Sequence, residues 1–129
     1  MGSGSMAADV VYQVPWKVVN APDAVQPGGL AIYWFPASQN ELEKSSLRNS
    51  RILSLYASQC VALGVSDAKS SLGQKYTEGE TLPVAVLTRA DGTVVSKAQQ
   101  KDGRLNVTQI EKLLDTEVKL LEKSIKEQL

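Results

Sequence analysis

The chain has 129 residues, with 14 Lys+Arg against 14 Asp+Glu, no His and one Cys, so its formal charge is zero. Without His, the Ser-His-Asp and Cys-His triads have no base; one Cys closes no intrachain disulfide and leaves almost nothing for a metal site. Balanced charge gives no electrostatic footprint for nucleic acid, and no apolar run approaches the roughly 20 residues of a membrane span.

Met1 to Ser5 reads as an appended leader, leaving residues 6–129 as one domain. Val10 to Val19, VVYQVPWKVV, has strand character, and Pro15 makes it an edge strand or a strand followed by a bend. Asn20 to Gly29, with two prolines and a Gly-Gly pair, is loop. Leu30 to Phe35, LAIYWF, is an unbroken apolar run that suits a strand covered on both faces, as in parallel pairing. Core is the default for both Trp34 and Phe35, while alternation along the strand leaves open that one of them is an exposed anchor.

From Ser38 the period becomes helical. Ser38 or Asn40 caps a helix carrying Leu42, Leu47, Ile52, Leu55 and Tyr56, with a break expected at Asn49-Ser50. Gln59 to Ser66 returns to strand. Ala68 to Tyr76 is a short helix capped by Asp67 or Ser66. Pro83 to Thr88, an Ala90-Asp-Gly-Thr93 turn and Val94 to Lys97 form a hairpin, and Lys101-Asp-Gly103 makes a second turn. The last helix starts at Asn106, with Gln109 completing a capping box, and lines Ile110, Leu113, Leu114, Val118, Leu121 and Ile125 along one stripe.

The expected fold is therefore α/β: central parallel strands plus a C-terminal antiparallel hairpin in one mixed sheet, flanked by helices, with an extended C-terminal helix. The motifs GLAIYWFPAS and TLPVAVLTRADGTVV, with LEKSSLRNSRILSLYASQCVALGVSD between them, resemble the thioredoxin-like superfamily, in its subgroup with a long, kinked first helix. The resemblance spans Trp16 to Glu122. It implies a cis Leu82-Pro83 bond and a peptide groove formed by Phe35, Pro36, Ala37, Ser38, Leu82 and Pro83.

The chain departs from that family where its chemistry resides. The place of Cys-x-x-Cys is taken by Pro36-Ala-Ser-Gln39 in one register and by Ser38-Gln-Asn-Glu41 in the other; neither holds a cysteine. Dithiol exchange needs two thiols. The expectation is a redox-inactive module that binds a protein or peptide, with no cofactor, no catalytic residue and no metal. Two alternatives stand beside it. Cys60 serves as a single redox thiol with an external thiol partner, or sits as a buried hydrophobe in its strand. The last helix, through Val118, Leu121 and Ile125 and a projecting tail over 119–129, joins copies of the chain into a homo-oligomer, or packs fully on its own sheet. Met6-Ala-Ala-Asp9 reads either as a native start or as the residue run past a removed signal, so a soluble protein is expected, cytoplasmic or extracytoplasmic.

Overall fold

The computed structural model describes residues 13–19, 29–59 and 61–128, without the side chains of residues 124, 125 and 128. Five strands form one mixed sheet in the order β1-β3-β2-β4-β5. They are β1 (Lys17–Val18), β2 (Leu30–Phe35), β3 (Val61–Val65), β4 (Val84–Arg89) and β5 (Val94–Gln99). β1 and β2 both run parallel to β3, while β4 runs antiparallel to β2 and to β5. The helices are α1 (Gln39–Lys44), α2 (Arg51–Ala57), α3 (Ser71–Tyr76) and α4 (Val107–Gln128), with a 3-10 turn over Ser46–Arg48.

β2 lies at the centre, and all six of its residues are buried. Leu30, Ile32 and Trp34 face a large core built with Leu47, Leu53, Ile110, Leu114 and Val118; Ala31, Tyr33 and Phe35 face a smaller one with Leu72, Tyr76, Val84 and Val86. Burial of each large apolar side chain is worth about 1.5–3 kcal/mol. Both faces being covered, neither Trp34 nor Phe35 is an exposed anchor; each is fully buried. Trp16 leans on Trp34 with ring centroids 5.3 Å apart, and its Nε1 donates to the Leu47 carbonyl at 2.8 Å.

Serine chemistry divides the first helical stretch. A single break at Asn49-Ser50 is expected from propensity, yet the segment is in three pieces, each opened by a serine. Ser38, Ser45 and Ser50 accept hydrogen bonds from the backbone N–H groups of Glu41, Leu47 and Leu53, each at 3.1 Å. A hydroxyl that bonds the backbone locally competes with helix continuation, so the run breaks first at Ser45. Ser70 likewise caps α3 through the Gly73 N–H at 3.0 Å. That starts α3 at Ser71 rather than Ala68, because Asp67 is spent on an Asx turn to the Lys69 N–H at 2.8 Å.

The hairpin forms as expected, with a bulge between Leu87 and Thr88, and the Lys101 turn closes through paired Lys101 and Arg104 backbone groups. α4 carries the expected capping box: Asn106 accepts from the Thr108 N–H at 2.9 Å and Gln109 accepts from the Asn106 N–H at 2.8 Å. Within the first strand, only Lys17 and Val18 pair as sheet; Gln13 makes an isolated bridge to Asn49, and residues 10–12 lie outside the described residues.

Candidate functional site

The carboxyl ends of β1, β3 and β2 meet at one rim of the sheet. Val18, Val65 and Pro36 stand there, and the loops that follow β2 and β3 rise on either side of a groove of about 640 Å³. Such a crevice beyond the carboxyl ends of parallel strands is where open α/β sheets place ligands. Its apolar surface comes from Val18, Pro36, Ala37, Leu42, Val65 and Leu82. Val18 is 73% exposed, a large apolar side chain left on the groove's outer lip.

One wall is the start of α1. Ser38 caps the helix, while Glu41 reaches back and accepts the Ala37 N–H at 2.8 Å. This is a variant of the capping box in which the carboxylate takes the N–H of the residue before the cap, and it sits at the helix's positive end. The Ser-x-x-Glu spacing of Ser38-Gln-Asn-Glu41 carries the capping signature in the residues themselves. Chemically it matters, because two of the backbone donors at that end, the Ala37 and Glu41 N–H groups, are taken by the chain's own Glu41 and Ser38.

The opposite wall is the 66–70 turn. The Ser66 N–H donates to the Trp34 carbonyl at 2.9 Å, Ser66 Oγ and Ser70 Oγ lie 2.9 Å apart, and Ser70 Oγ donates to the Asp67 carbonyl at 2.7 Å. Behind it α3 approaches so closely that a β-carbon at Gly73 would stand 2.4 Å from the Ala68 carbonyl. Leu82 closes the groove at its end, and the Leu82–Pro83 peptide is cis. The segment before Leu82 is fastened to β5: Glu80 accepts from Lys97 Nζ at 2.9 Å and from Gln99 Nε2 at 3.1 Å, while Lys97 also reaches the Tyr76 carbonyl at 3.3 Å. The Lys97 hydrogen bond holds the Glu80 carboxyl below its ordinary value, against an opposing effect of burial.

Of the residues expected to form this groove, Pro36, Ala37, Ser38 and Leu82 line it. Phe35 does not: as the last residue of a strand covered on both faces, opposite Val84, it belongs to the smaller core. Pro83 is also buried and is not among the lining residues. Val18, Leu42 and the 66–69 turn are lining residues that the sequence reading did not name; they come together only once β3 is seen inserted between β1 and β2. Cys60 lies outside the described residues.

The expected interaction stripe on the last helix is corrected in part. Val118 is 7% exposed and packs into the large core, since its 3.6-residue phase matches Ile110 and Leu114. Leu121 is half-buried against that core, and the Ile125 side chain is outside the described set. Leu120, off the stripe, is 56% exposed and shares a cavity of about 520 Å³ with Leu121, Glu117 and Arg89. Among the described residues no group of His, Cys, Asp and Glu could hold a metal ion, and no helix is long and apolar enough to cross a membrane.

No protein-family model matches the chain, and no curated protein matches it. Among solved structures, a crystal structure of a designed protein superposes with a TM-score of 0.52 at 17% identity, over 87% of this chain and 96% of that one. That similarity is one of fold.

Proposed function

We propose that the chain is a thioredoxin-like domain whose groove binds an extended peptide segment without dithiol chemistry. The observation that carries this reading is the groove at the carboxyl ends of β1, β3 and β2, lined in part by Val18, Pro36, Leu42 and Val65 and by Leu82 before a cis proline. The strand order β1-β3-β2-β4-β5, with parallel strands followed by an antiparallel hairpin, supports the fold assignment. The single Cys supports the absence of dithiol exchange, which requires two thiols in one chain.

The groove's chemistry suits an extended segment with a medium-sized apolar side chain. Val18, Leu42, Val65 and Leu82 offer it contact, while Ser38, Gln39, Asp67 and Lys69 at the rims offer hydrogen bonds of either polarity. The capping carboxylate of Glu41 disfavours acidic residues over the helix start.

Selection from a random peptide library, followed by amide-shift mapping of the selected peptide, tests the reading. Perturbations should cluster at Val18, Ala37, Ser38, Ser66 to Lys69 and Leu82. Val18→Asp, which puts a charge where 73% of an apolar side chain is exposed, should weaken binding about tenfold, equivalent to about 1.4 kcal/mol, while leaving stability near wild type. Perturbations confined to α4 or to the β5 edge would overturn it.

A further inference from the structure

The sequence contains two Asp-Gly pairs, Asp91-Gly92 and Asp102-Gly103, and the fold treats them in opposite ways. We propose that Asp102-Gly103 is a site of spontaneous aspartate isomerisation, from which the fold protects Asp91-Gly92.

The chemistry is a cyclisation. The backbone nitrogen of the glycine bonds to the aspartate side-chain carbonyl carbon, and the carboxyl's hydroxyl leaves as water with the amide proton. One water then opens the five-membered imide at either carbonyl. Opening on one side restores aspartate; opening on the other leaves isoaspartate, with the main chain rerouted through the former side chain. Glycine favours the reaction because it puts no β-carbon beside the attacking nitrogen. Both pairs have that feature, so the surroundings decide between them.

At Asp91 both reacting groups are held. Asp91 Oδ1 accepts the Thr93 N–H at 2.9 Å, and the Gly92 N–H donates to the Arg89 carbonyl at 2.9 Å. Bringing nitrogen and carboxyl together breaks both bonds. The space around Gly92 is also filled: a β-carbon there would lie 3.5 Å from Tyr76 Oη and 3.7 Å from Lys75 Nζ, and Tyr76 Oη donates to the Gly92 carbonyl at 2.9 Å. The hydrogen bonds from Thr93 also hold the Asp91 carboxyl below its ordinary value, which keeps it from the protonated form that loses hydroxyl most readily.

At Asp102 these restraints are missing. Its carboxylate accepts no hydrogen bond among the described residues. The Gly103 N–H is bonded only to the side-chain amide of Gln100, at 2.6 Å, a partner that rotates away without disturbing the backbone. Nothing lies within 4 Å of a β-carbon position at Gly103, so no neighbouring side chain braces that side of the turn. Asp102 has φ 55 and Gly103 φ 78, placing both in the left-handed region of a turn exposed to water. Isoaspartate adds one backbone carbon to a turn closed by Lys101 and Arg104, immediately before buried Leu105 and the Asn106 cap of α4.

The intact protein is aged near neutral pH in water enriched in heavy oxygen, and peptides spanning each pair are read by mass spectrometry for incorporated label and isoaspartate. Residue 102 should carry several-fold more of both than residue 91. In denaturant the two should converge, since the protection at Asp91 is a property of the fold. Asp102→Glu, whose imide ring is six-membered, should remove the label at 102 and leave residue 91 unchanged. Equal accumulation in the native protein, faster reaction at Asp91, or label at 102 appearing only in denaturant would each overturn the proposal.

Discussion

Replacing Gly73 by alanine sets two effects of opposite sign against each other. Gly73 has ordinary helical backbone inside α3, and alanine is favoured over glycine there by about 1 kcal/mol. The added β-carbon, however, would sit 2.4 Å from the carbonyl carbon and oxygen of Ala68 and 2.4 Å from the Asp67 carbonyl oxygen. Comfortable carbon contacts begin near 3.5 Å, so α3 and the 67–68 backbone must separate by about 1 Å. The atoms in the way are main chain, so no rotamer change relieves the contact. Overpacking of this kind costs about 1–3 kcal/mol. The movement also strains the Ser70 Oγ bonds to the Gly73 N–H and the Asp67 carbonyl, each worth about 1 kcal/mol. With about half of the worth of those two bonds lost, this added cost offsets the helix gain and the expected net loss is about 1–3 kcal/mol. In urea this lowers the unfolding midpoint by on the order of 1 M with an unchanged slope. Gln74→Ala, exposed on the same helix, should change stability by less than about 0.5 kcal/mol. A Gly73→Ala midpoint equal to or above wild type would refute the reasoning, since propensity alone would then govern the site. Because Asp67 and Ala68 line the groove, the same variant should also weaken peptide binding.

Two further perturbations probe separate parts of the molecule. Leu114→Ala removes a side chain with no exposed surface and should cost about 2–5 kcal/mol, whereas Leu120→Ala, one turn and a half further on and 56% exposed, should cost less than about 0.5 kcal/mol; equal losses in a denaturant titration would contradict the burial pattern of α4. Glu80 carries a carboxyl lowered in the folded state by its Lys97 hydrogen bond, so its stabilisation is complete above the ordinary carboxylate value and disappears as pH falls through the lowered one. The pair is partly solvated, so the amount is about 0.2–1 kcal/mol. Glu80→Gln should flatten the acid limb of the stability–pH curve by that much, and an unchanged limb would count against the bracket.

The periodic elements were legible because their burial matches their period. LAIYWF is buried on both faces, as an unbroken apolar run implies, and the α4 stripe runs through Ile110, Leu114 and Val118 into the core. The Asn106–Gln109 box was legible for the same reason that it is stable: both partners lie within one turn. The serine-rich stretch was harder. Nothing in hydrophobic spacing says whether a serine bonds its own backbone or faces solvent, and Ser45, by doing the former, adds a second break to the one expected at Asn49-Ser50. The groove was half legible. Pro36 to Ser38 and Leu82 lie next to recognisable motifs, but Val18 and the 66–69 turn reach the site only through the insertion of β3 between β1 and β2. Strand order of that kind depends on packing across about forty residues, which no local pattern encodes.

The three serine caps also determine how the groove opens and closes. An isolated helix needs about 12–15 residues to persist in water, and α1 has six and α2 seven. Residues 39–57 therefore stay helical only through tertiary anchors, and the anchors are uneven. The 3-10 turn is pinned by Leu47 and α2 by Leu53, both without exposed surface, while α1 contains no buried residue. Its hold on the core is Leu42, half-buried, while the Ser38 and Glu41 bonds only close its own first turn. The free energy of opening thus rises along the segment, lowest at α1 and approaching that of the whole fold at Leu47 and Leu53. The α1 wall of the groove is therefore the part that loosens first, by fraying one short helix while the sheet beneath it stays intact. For the proposed peptide binding, this makes the cost of holding α1 in place part of the affinity, so anchoring that helix is the change expected to tighten it.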